Sequence, residues 1–238
     1  MTLGRLAKSR AQYHHLSQSD KQLFDELASD ICGQLNELSP REFSNVFHSL
    51  AKTRAPISVL TKLAQYFVDQ VDVTKMTMTE LSMTTYAIAM SRLQTQLPSF
   101  FAYLESELLV RLVSEGQPQH IANVIWSCAT IGNYNSYLYS IVQDLVLSSD
   151  LNAYKPQELS NIVWAFTRSY PNHASSIFSH IGAHLTTRSL DDFNTQNIAN
   201  IVAGFAKAEQ RLPESVLIAV VEHINEYNSA WLDMPQNL

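Results

Sequence analysis

One short phrase recurs five times along this chain at nearly constant spacing. The copies are Pro40–Lys52, Thr79–Met90, Pro118–Thr130, Pro156–Arg168 and Thr195–Lys207. Aligned on a central position, Asn in four copies and Met83 in the other, they follow one another at steps of 38, 40, 38 and 39 residues. A fixed period in this range is typical of stacked supersecondary units, none of which can bury its apolar face alone.

Each copy predicts the first of two helices in a hairpin, which we call helix A, followed by a helix B. In the fourth copy Leu159, Ile162, Val163 and Phe166 lie at i, i+3, i+4 and i+7, the apolar stripe of an amphipathic helix. No alternating, period-two segment of useful length is present. The sequence therefore predicts an all-α fold, a right-handed α-solenoid of stacked helical hairpins with a period of ~38–40 residues.

The period also predicts the domain organisation, a single α-solenoid over residues 1–238. Its ends look like partial copies, since Leu6–Ala11 repeats Leu50–Ala55 and Pro235–Leu238 opens another phrase. The alternative for the basic N-terminus, a transit-peptide remnant, stays open. We expect further repeats or partner proteins to cover both ends. The predicted repeats are 39–76, 77–115, 116–154, 155–193 and 194–232, with partial repeats at 1–38 and 233–238.

Composition disfavours several classes of function. The net charge is −6, and none of the 6 glycines forms a Gly-x-Gly run that could cradle a phosphate. Cys32 and Cys128 are far apart in sequence, which favours a reducing compartment over a disulfide framework. His180 and His184 have a zinc-like spacing but no third ligand nearby in sequence. We expect that the protein is not an enzyme, binds no cofactor or metal, and does not insert into a membrane.

The phrase Pro-Gln-Glu-Leu-x-Asn-x-x-Trp-Ala at Pro156–Ala165, echoed at Pro118–Ser127, resembles the octotricopeptide repeat. It is also similar to the helical repeats found beside RAP domains in organellar proteins. The resemblance covers about residues 39–228. It implies sequence-specific binding of single-stranded RNA in a mitochondrion or chloroplast, for transcript stability, processing or translation.

Four positions of helix A, at −3, 0, +4 and +7 from the aligned position, form a stripe away from the apolar one. Positions −3 and +7 vary in polarity and charge, so we expect them to discriminate bases. The near-constant Asn varies too little between repeats to distinguish one base from another. We interpret it as an amide that bridges to the backbone of the neighbouring repeat. The Trp at +3 could stack on a base, but we favour a place in the core.

These arguments separate two sets of residues. The structural repeat positions are Asn45, Asn123, Asn161, Asn200, Trp126 and Trp164. The candidate RNA-binding residues, which include cations at or just after the end of helix A, are Glu42, Lys52, Arg54, Glu80, Arg92, His120, Thr130, Glu158, Arg168, Asn197, Lys207 and Arg211.

A second hypothesis fits the negative net charge better. The chain could be a protein–protein scaffold, for example a structural subunit of a mitochondrial or plastid ribosome that contacts ribosomal RNA or protein. The basic end of helix A favours RNA, whereas the negative net charge and the apolar ends favour the scaffold. The sequence leaves both open.

Overall fold

The described part of the chain is helical, as predicted. The computed structural model describes residues 12–93, 98–132 and 135–226, with the backbone alone at 98–106 and 226. Those residues form eleven α-helices joined by turns and short 3₁₀ helices, with no strand among them. The helices, numbered α1 to α11, are Gln18–Gly33, Pro40–Lys52, Ile57–Gln70, Met78–Ser91, Pro98–Glu115, Pro118–Ile131, Ser136–Ser148, Pro156–Ser169, Ser175–Leu185, Thr195–Lys207 and Glu214–Glu226.

The repeated phrase forms one helix in every copy. Helices A are α2, α4, α6, α8 and α10, and each begins and ends within one residue of its predicted bounds. Helices B are α3, α5, α7, α9 and α11, and α1 is the helix B of a preceding copy. Residues 1–11 and the partial repeat at 233–238 lie outside the described residues. The predicted succession of a helix A and a helix B is therefore confirmed in each of the five copies.

Each helix A begins with the same backbone-to-side-chain bond. The N-cap N–H donates to the side chain at −3, which is the third residue of the helix, as in the second half of a capping box. The predicted boxes at Ser39 and Thr77 are confirmed, and His and Asn perform the same task elsewhere. The bonds run from Ser39 to Glu42 (3.0 Å), Thr77 to Glu80 (2.7 Å), Gln117 to His120 Nδ1 (3.3 Å), Lys155 to Glu158 (2.9 Å) and Asn194 to Asn197 (3.3 Å).

Contacts divide the chain into two compact units, residues 1–131 and 132–238. In the first unit the helices A (α2, α4 and α6) pack side by side, and α1 packs against α3. In the second unit α8 packs against α10, and α7 packs against α9. Within each unit, then, helix A packs on helix A and helix B on helix B. The division falls between the two helices of the third repeat.

Small residues allow neighbouring helices A to approach closely. Ala87, Ser127 and Ala165, at position +4, have no exposed surface. At Gly204, the same position on α10, an added Cβ would overlap Val163 Cγ1 of α8. The expectation of tight packing at this position is confirmed, because even one methyl group has no space at the α8–α10 contact.

Two arginines donate hydrogen bonds to the turns that precede α4 and α8. The repeated phrase did not predict these bonds. Arg111 Nη1, on α5, donates to the Met76 carbonyl at 2.6 Å, and Arg188 Nη1, after α9, donates to the Tyr154 carbonyl at 2.7 Å. Both side chains are largely buried, with 14% and 15% of their surface exposed. A charged donor to a buried carbonyl contributes more than a neutral one, so these bonds fix the start of α4 and α8.

Candidate nucleic-acid interface

One face of every helix A is accessible to solvent. Positions 0, +3 and +7 lie one to two turns apart on that face, and we call their residues the helix-A stripe. All fifteen are exposed or half-buried, whereas position +4 is buried in every copy. The helix-A stripe comprises Asn45, His48 and Lys52; Met83, Tyr86 and Met90; Asn123, Trp126 and Thr130; Asn161, Trp164 and Arg168; and Asn200, Ala203 and Lys207.

The near-constant Asn does not form the bridge that we predicted. Asn45 is exposed, and Asn123, Asn161 and Asn200 are half-buried. None of the four side-chain amides makes a hydrogen bond with another described residue. The interpretation of this Asn as a contact to the neighbouring backbone is wrong, because none of the four amides bonds to a backbone group of another described residue. Each amide keeps a donor and an acceptor that can bind a ligand.

Position −3 holds the bridging residues instead. His120 Nε2 lies 3.0 Å from Thr79 Oγ1 and Asn197 Nδ2 donates to Ser160 Oγ at 3.2 Å, so both side chains cross to the preceding helix A. His120, Asn197 and Glu158 are 6%, 5% and 8% exposed. Their predicted role in base discrimination is not supported, because capping and bridging leave them almost no surface. Glu42 is exposed and Glu80 half-buried, and for these two the role stays a prediction.

The tautomer of His120 follows from its two partners. Its Nδ1 accepts from the Gln117 N–H, so that nitrogen carries no proton in the neutral ring. Nε2 must then be the protonated nitrogen that donates to Thr79 Oγ1. Both ring nitrogens are used by the protein, which fixes the orientation of this side chain.

In the first unit the +3 side chains form a row of rings. The centroids of His48 and Tyr86 are 5.6 Å apart, and those of Tyr86 and Trp126 are 4.6 Å apart. Burial, with a smaller contribution from Lys52, lowers the pKa of His48 to about 4, so this ring is neutral at neutral pH. The favoured place of Trp126 in the core is only partly right, since the indole is half-buried and joins a surface row.

In the second unit the stripe borders a cavity. The Arg168 guanidinium lies 5.5 Å from the centroid of the Trp164 ring. Beside them a cavity of about 430 Å³ is lined by these two side chains and by Asn200, Ala203 and Lys207 of α10. The lining among the described residues carries two positive charges and no carboxylate. Trp164 is half-buried, so it too is only partly a core residue.

Five predicted cations are exposed at or just after the end of a helix A. Lys52, Arg168 and Lys207 occupy position +7, and Arg54 and Arg92 occupy position +9. Arg54 and Arg92 have φ values of 52° and 55°, in the left-handed region that favours glycine. Such a conformation ends a helix in a common way, but a long side chain there costs free energy. The stripe therefore ends in cations in four of the five copies.

Two predicted residues stand apart from this set. Arg211 lines a different cavity, with Phe205, Leu212 and Leu217. Thr130 is half-buried, and its hydroxyl has no hydrogen-bond partner among the described residues. The Thr130 hydroxyl is itself buried, so it offers no accessible donor at +7. Arg211 lies outside the cavity that Lys207 and Trp164 share.

The described residues offer no centre for metal chemistry. Within 12–93, 98–132 and 135–226 no three His, Cys, Asp or Glu side chains lie close enough to hold a metal ion.

His184 Nε2 lies 3.4 Å from Arg188 Nη1. Burial lowers the pKa of His184, and the Arg188 guanidinium lowers it further. Cys32 and Cys128 are not joined by a disulfide. No helix in the described part of the chain is long and apolar enough to span a bilayer.

Comparisons with known proteins add no name to this site. No protein-family model matches the sequence, and neither does any curated protein.

Proposed function

We propose that this protein binds single-stranded RNA along the helix-A stripe, with about one base contacted per repeat. The observation that carries the proposal is that the accessible face of each helix A presents amide, aromatic or cationic side chains. Amides with unused donors and acceptors suit base edges, rings suit base faces, and cations suit phosphates. Helices B provide the scaffold behind this face.

We also propose that the repeats continue as a right-handed α-solenoid, the finer form of the all-α class. The side-by-side packing of helices A within each unit supports it, as does the constant period. Such stacking lines up identical helix positions on one surface, which is how repeat proteins present an extended binding face. The resemblance to octotricopeptide repeats supports the same arrangement.

The negative net charge of −6 sets a limit on affinity. Among the described residues, five cations at the ends of helices A are placed to meet phosphates, and acidic side chains elsewhere repel the RNA. We expect binding that is weak and sensitive to salt.

The decisive experiment measures fluorescence anisotropy of labelled RNA decamer pools at ~50 mM salt, where phosphate contacts are strongest. Replacing four cations of the proposed face by Ala should weaken binding at least ~10-fold. A control with the same change in net charge replaces exposed cations elsewhere and should bind within about twofold of the wild type. Equal loss in both would contradict the proposal. The test set is Lys52, Arg54, Arg168 and Lys207, and the control set is Arg41, Lys62, Lys75 and Lys155.

A protein-scaffold function is the second candidate, and one observation favours it. Helix α11 exposes Leu217, Ile218 and Val221, with 44%, 53% and 55% of their surfaces accessible. Adjacent exposed apolar side chains are typical of protein contacts. If this function holds, Leu217→Glu with Val221→Glu should abolish co-purification of a partner, and the four-cation variant should retain it.

The organellar location also stays a proposal, supported by the resemblance alone. A mitochondrial or chloroplast protein of this class would take part in transcript stability, processing or translation. Imaging of the full chain fused to a fluorescent protein tests it, and a diffuse cytosolic signal would contradict it.

A further inference from the structure

We infer that the cavity between α8 and α10 is a pre-formed pocket for one nucleotide of the bound RNA, in which a base replaces an aromatic side chain that the repeat lacks. The inference rests on the proposed function. It adds the place where a base inserts between two helices A, the residues that hold it, and a reason why this contact differs from the others.

The argument starts from the row of rings in the first unit. There the +3 side chains of successive helices A contact one another, from His48 to Tyr86 and from Tyr86 to Trp126. In the second unit the corresponding pair is Trp164 and Ala203. Alanine has no ring, and the cavity of about 430 Å³ lies between these two residues and their neighbours. Small-molecule pockets span ~300–1,000 Å³, so the space suits one planar base with part of its sugar.

The helices cannot close this space by moving together. Thr167 Oγ1, on α8, lies 2.8 Å from the Val163 carbonyl and 3.1 Å from the Gly204 carbonyl of α10, so it links the two helices. Asn197 of α10 also donates to Ser160 of α8 at 3.2 Å. Gly204 already lies in close contact with Val163. A pocket held open by its frame costs a ligand little reorganisation.

The chemistry of the lining matches a ribonucleotide. The part of the Trp164 ring that lines the cavity offers an aromatic surface for stacking, which is worth on the order of tenfold in affinity per base or more. The half-buried Asn200 amide makes no hydrogen bond with the described residues and can bind donor and acceptor atoms on a base edge. Arg168 and Lys207 are exposed at the rim, where phosphates on either side of the base would lie.

The test fills the pocket without disturbing its frame. Ala203→Phe supplies the missing ring, and Ala199→Phe adds the same ring on an exposed position of the same helix. We expect Ala203→Phe to weaken binding of a uridylate octamer about tenfold, and Ala199→Phe to change it less than twofold. Thermal unfolding followed by circular dichroism checks that both variants fold. If Ala203→Phe unfolds, Asn200→Asp gives the same test by placing a carboxylate among the phosphates.

Fluorescence reports on the pocket itself. With Trp126→Phe and Trp231→Phe in place, Trp164 is the remaining indole of the chain, which contains 3 Trp. We expect the octamer to quench Trp164 and the Ala203→Phe change to abolish that quenching. Equal quenching by free uridine 5′-monophosphate at the same concentration would overturn the inference, because the site would then bind free nucleotides rather than a nucleotide of RNA.

The outcomes separate this inference from the proposed function. If the octamer binds the wild type but Ala203→Phe behaves like Ala199→Phe, the pocket is not used and the RNA function stands. If no octamer of U, A or C binds the wild type at ~50 mM salt, the proposed function fails and the inference fails with it.

Discussion

Residues with the same character on paper have opposite roles in this structure. Asn197 and Asn200 are three positions apart on α10. The Asn197 side chain is 5% exposed and makes two hydrogen bonds, whereas the Asn200 side chain is half-buried and makes no hydrogen bond with described residues. His48 shows a different effect of position, because burial in a row of rings lowers its pKa. The role of a polar side chain here depends on what the next helix places beside it.

The row of rings makes stability depend on pH. His48 has a folded-state pKa of about 4 against a reference value of 6.5, so the unfolded chain takes up a proton first as pH falls. Stability is therefore full above pH ~6.5 and declines towards pH ~4, by up to about 3 kcal/mol. His48→Phe should flatten urea-unfolding free energies in this window. His173→Phe, at an exposed histidine, should leave the decline unchanged, and an equal effect of both would contradict the argument.

The left-handed backbone conformation of Glu209, just after α10, predicts that glycine at this position stabilises the protein. Glu209 has a φ of 54°, and Gly132, at the same position of the third copy, has a φ of 76°. Relief of the left-handed strain should outweigh the greater freedom of glycine in the unfolded chain. We expect Glu209→Gly to raise the free energy of unfolding by about 0.5–1 kcal/mol. Glu222→Gly, within α11, should lower it by a similar amount, measured by denaturant titration.

At the scale of the element, every helix A begins by the same physical device although its residues differ. Glu, His and Asn at the third helical position all accept the N-cap N–H. At His120 and Asn197 the same side chain also reaches the preceding helix A, so capping and stacking are coupled in one residue. The start of the helix is therefore an architectural site, and its accessible face begins further along.

This division predicts opposite effects for two changes on α10. Asn197→Ala removes the cap and the bond to Ser160, and should lower the free energy of unfolding by about 1–2 kcal/mol with little effect on RNA affinity. Asn200→Ala should lower stability by less than about 0.5 kcal/mol. It should nonetheless weaken RNA binding several-fold. Unfolding curves and anisotropy on the same samples measure both quantities, and a reversed pattern would refute the division.

At the scale of the whole molecule, a protein with a negative net charge exposes a set of cations at the ends of its helices A. The five exposed cations at the ends of helices A come from four of the five copies, so they recur with the period. Their number bounds how many phosphates the described ends of helices A can neutralise. The net charge of −6 therefore does not exclude contact between RNA and these cations.

The bound can be measured as a salt dependence. Each neutralised phosphate of a single strand contributes about −0.7 to the slope of log K against log salt, so five cations limit it to about −3.5. We expect a slope between about −2 and −3.5, reduced by about 0.7 in Lys207→Ala and unchanged in Lys75→Ala. A slope near zero would show that phosphates are not contacted, and a much steeper one would implicate cations outside the helix-A stripe and its ends.

The amino-acid sequence by itself determined the helical hairpins. Their period, the bounds of each helix A and the small residue at +4 follow from local preferences and from the spacing of apolar residues, which act within one helix. The identities of the exposed cations were predictable for the same reason, since they lie beyond the last apolar residue.

Only the tertiary structure decided which polar residues are free to bind. The partners of His120, Asn197 and Thr167 are 41, 37 and 37 residues away in sequence. Whether a side chain meets such a partner depends on how far neighbouring helices approach and rotate, which the pattern of a single helix does not specify. The same geometry leaves the Asn amides without hydrogen-bond partners among the described residues. It also leaves a cavity between Ala203 and Trp164.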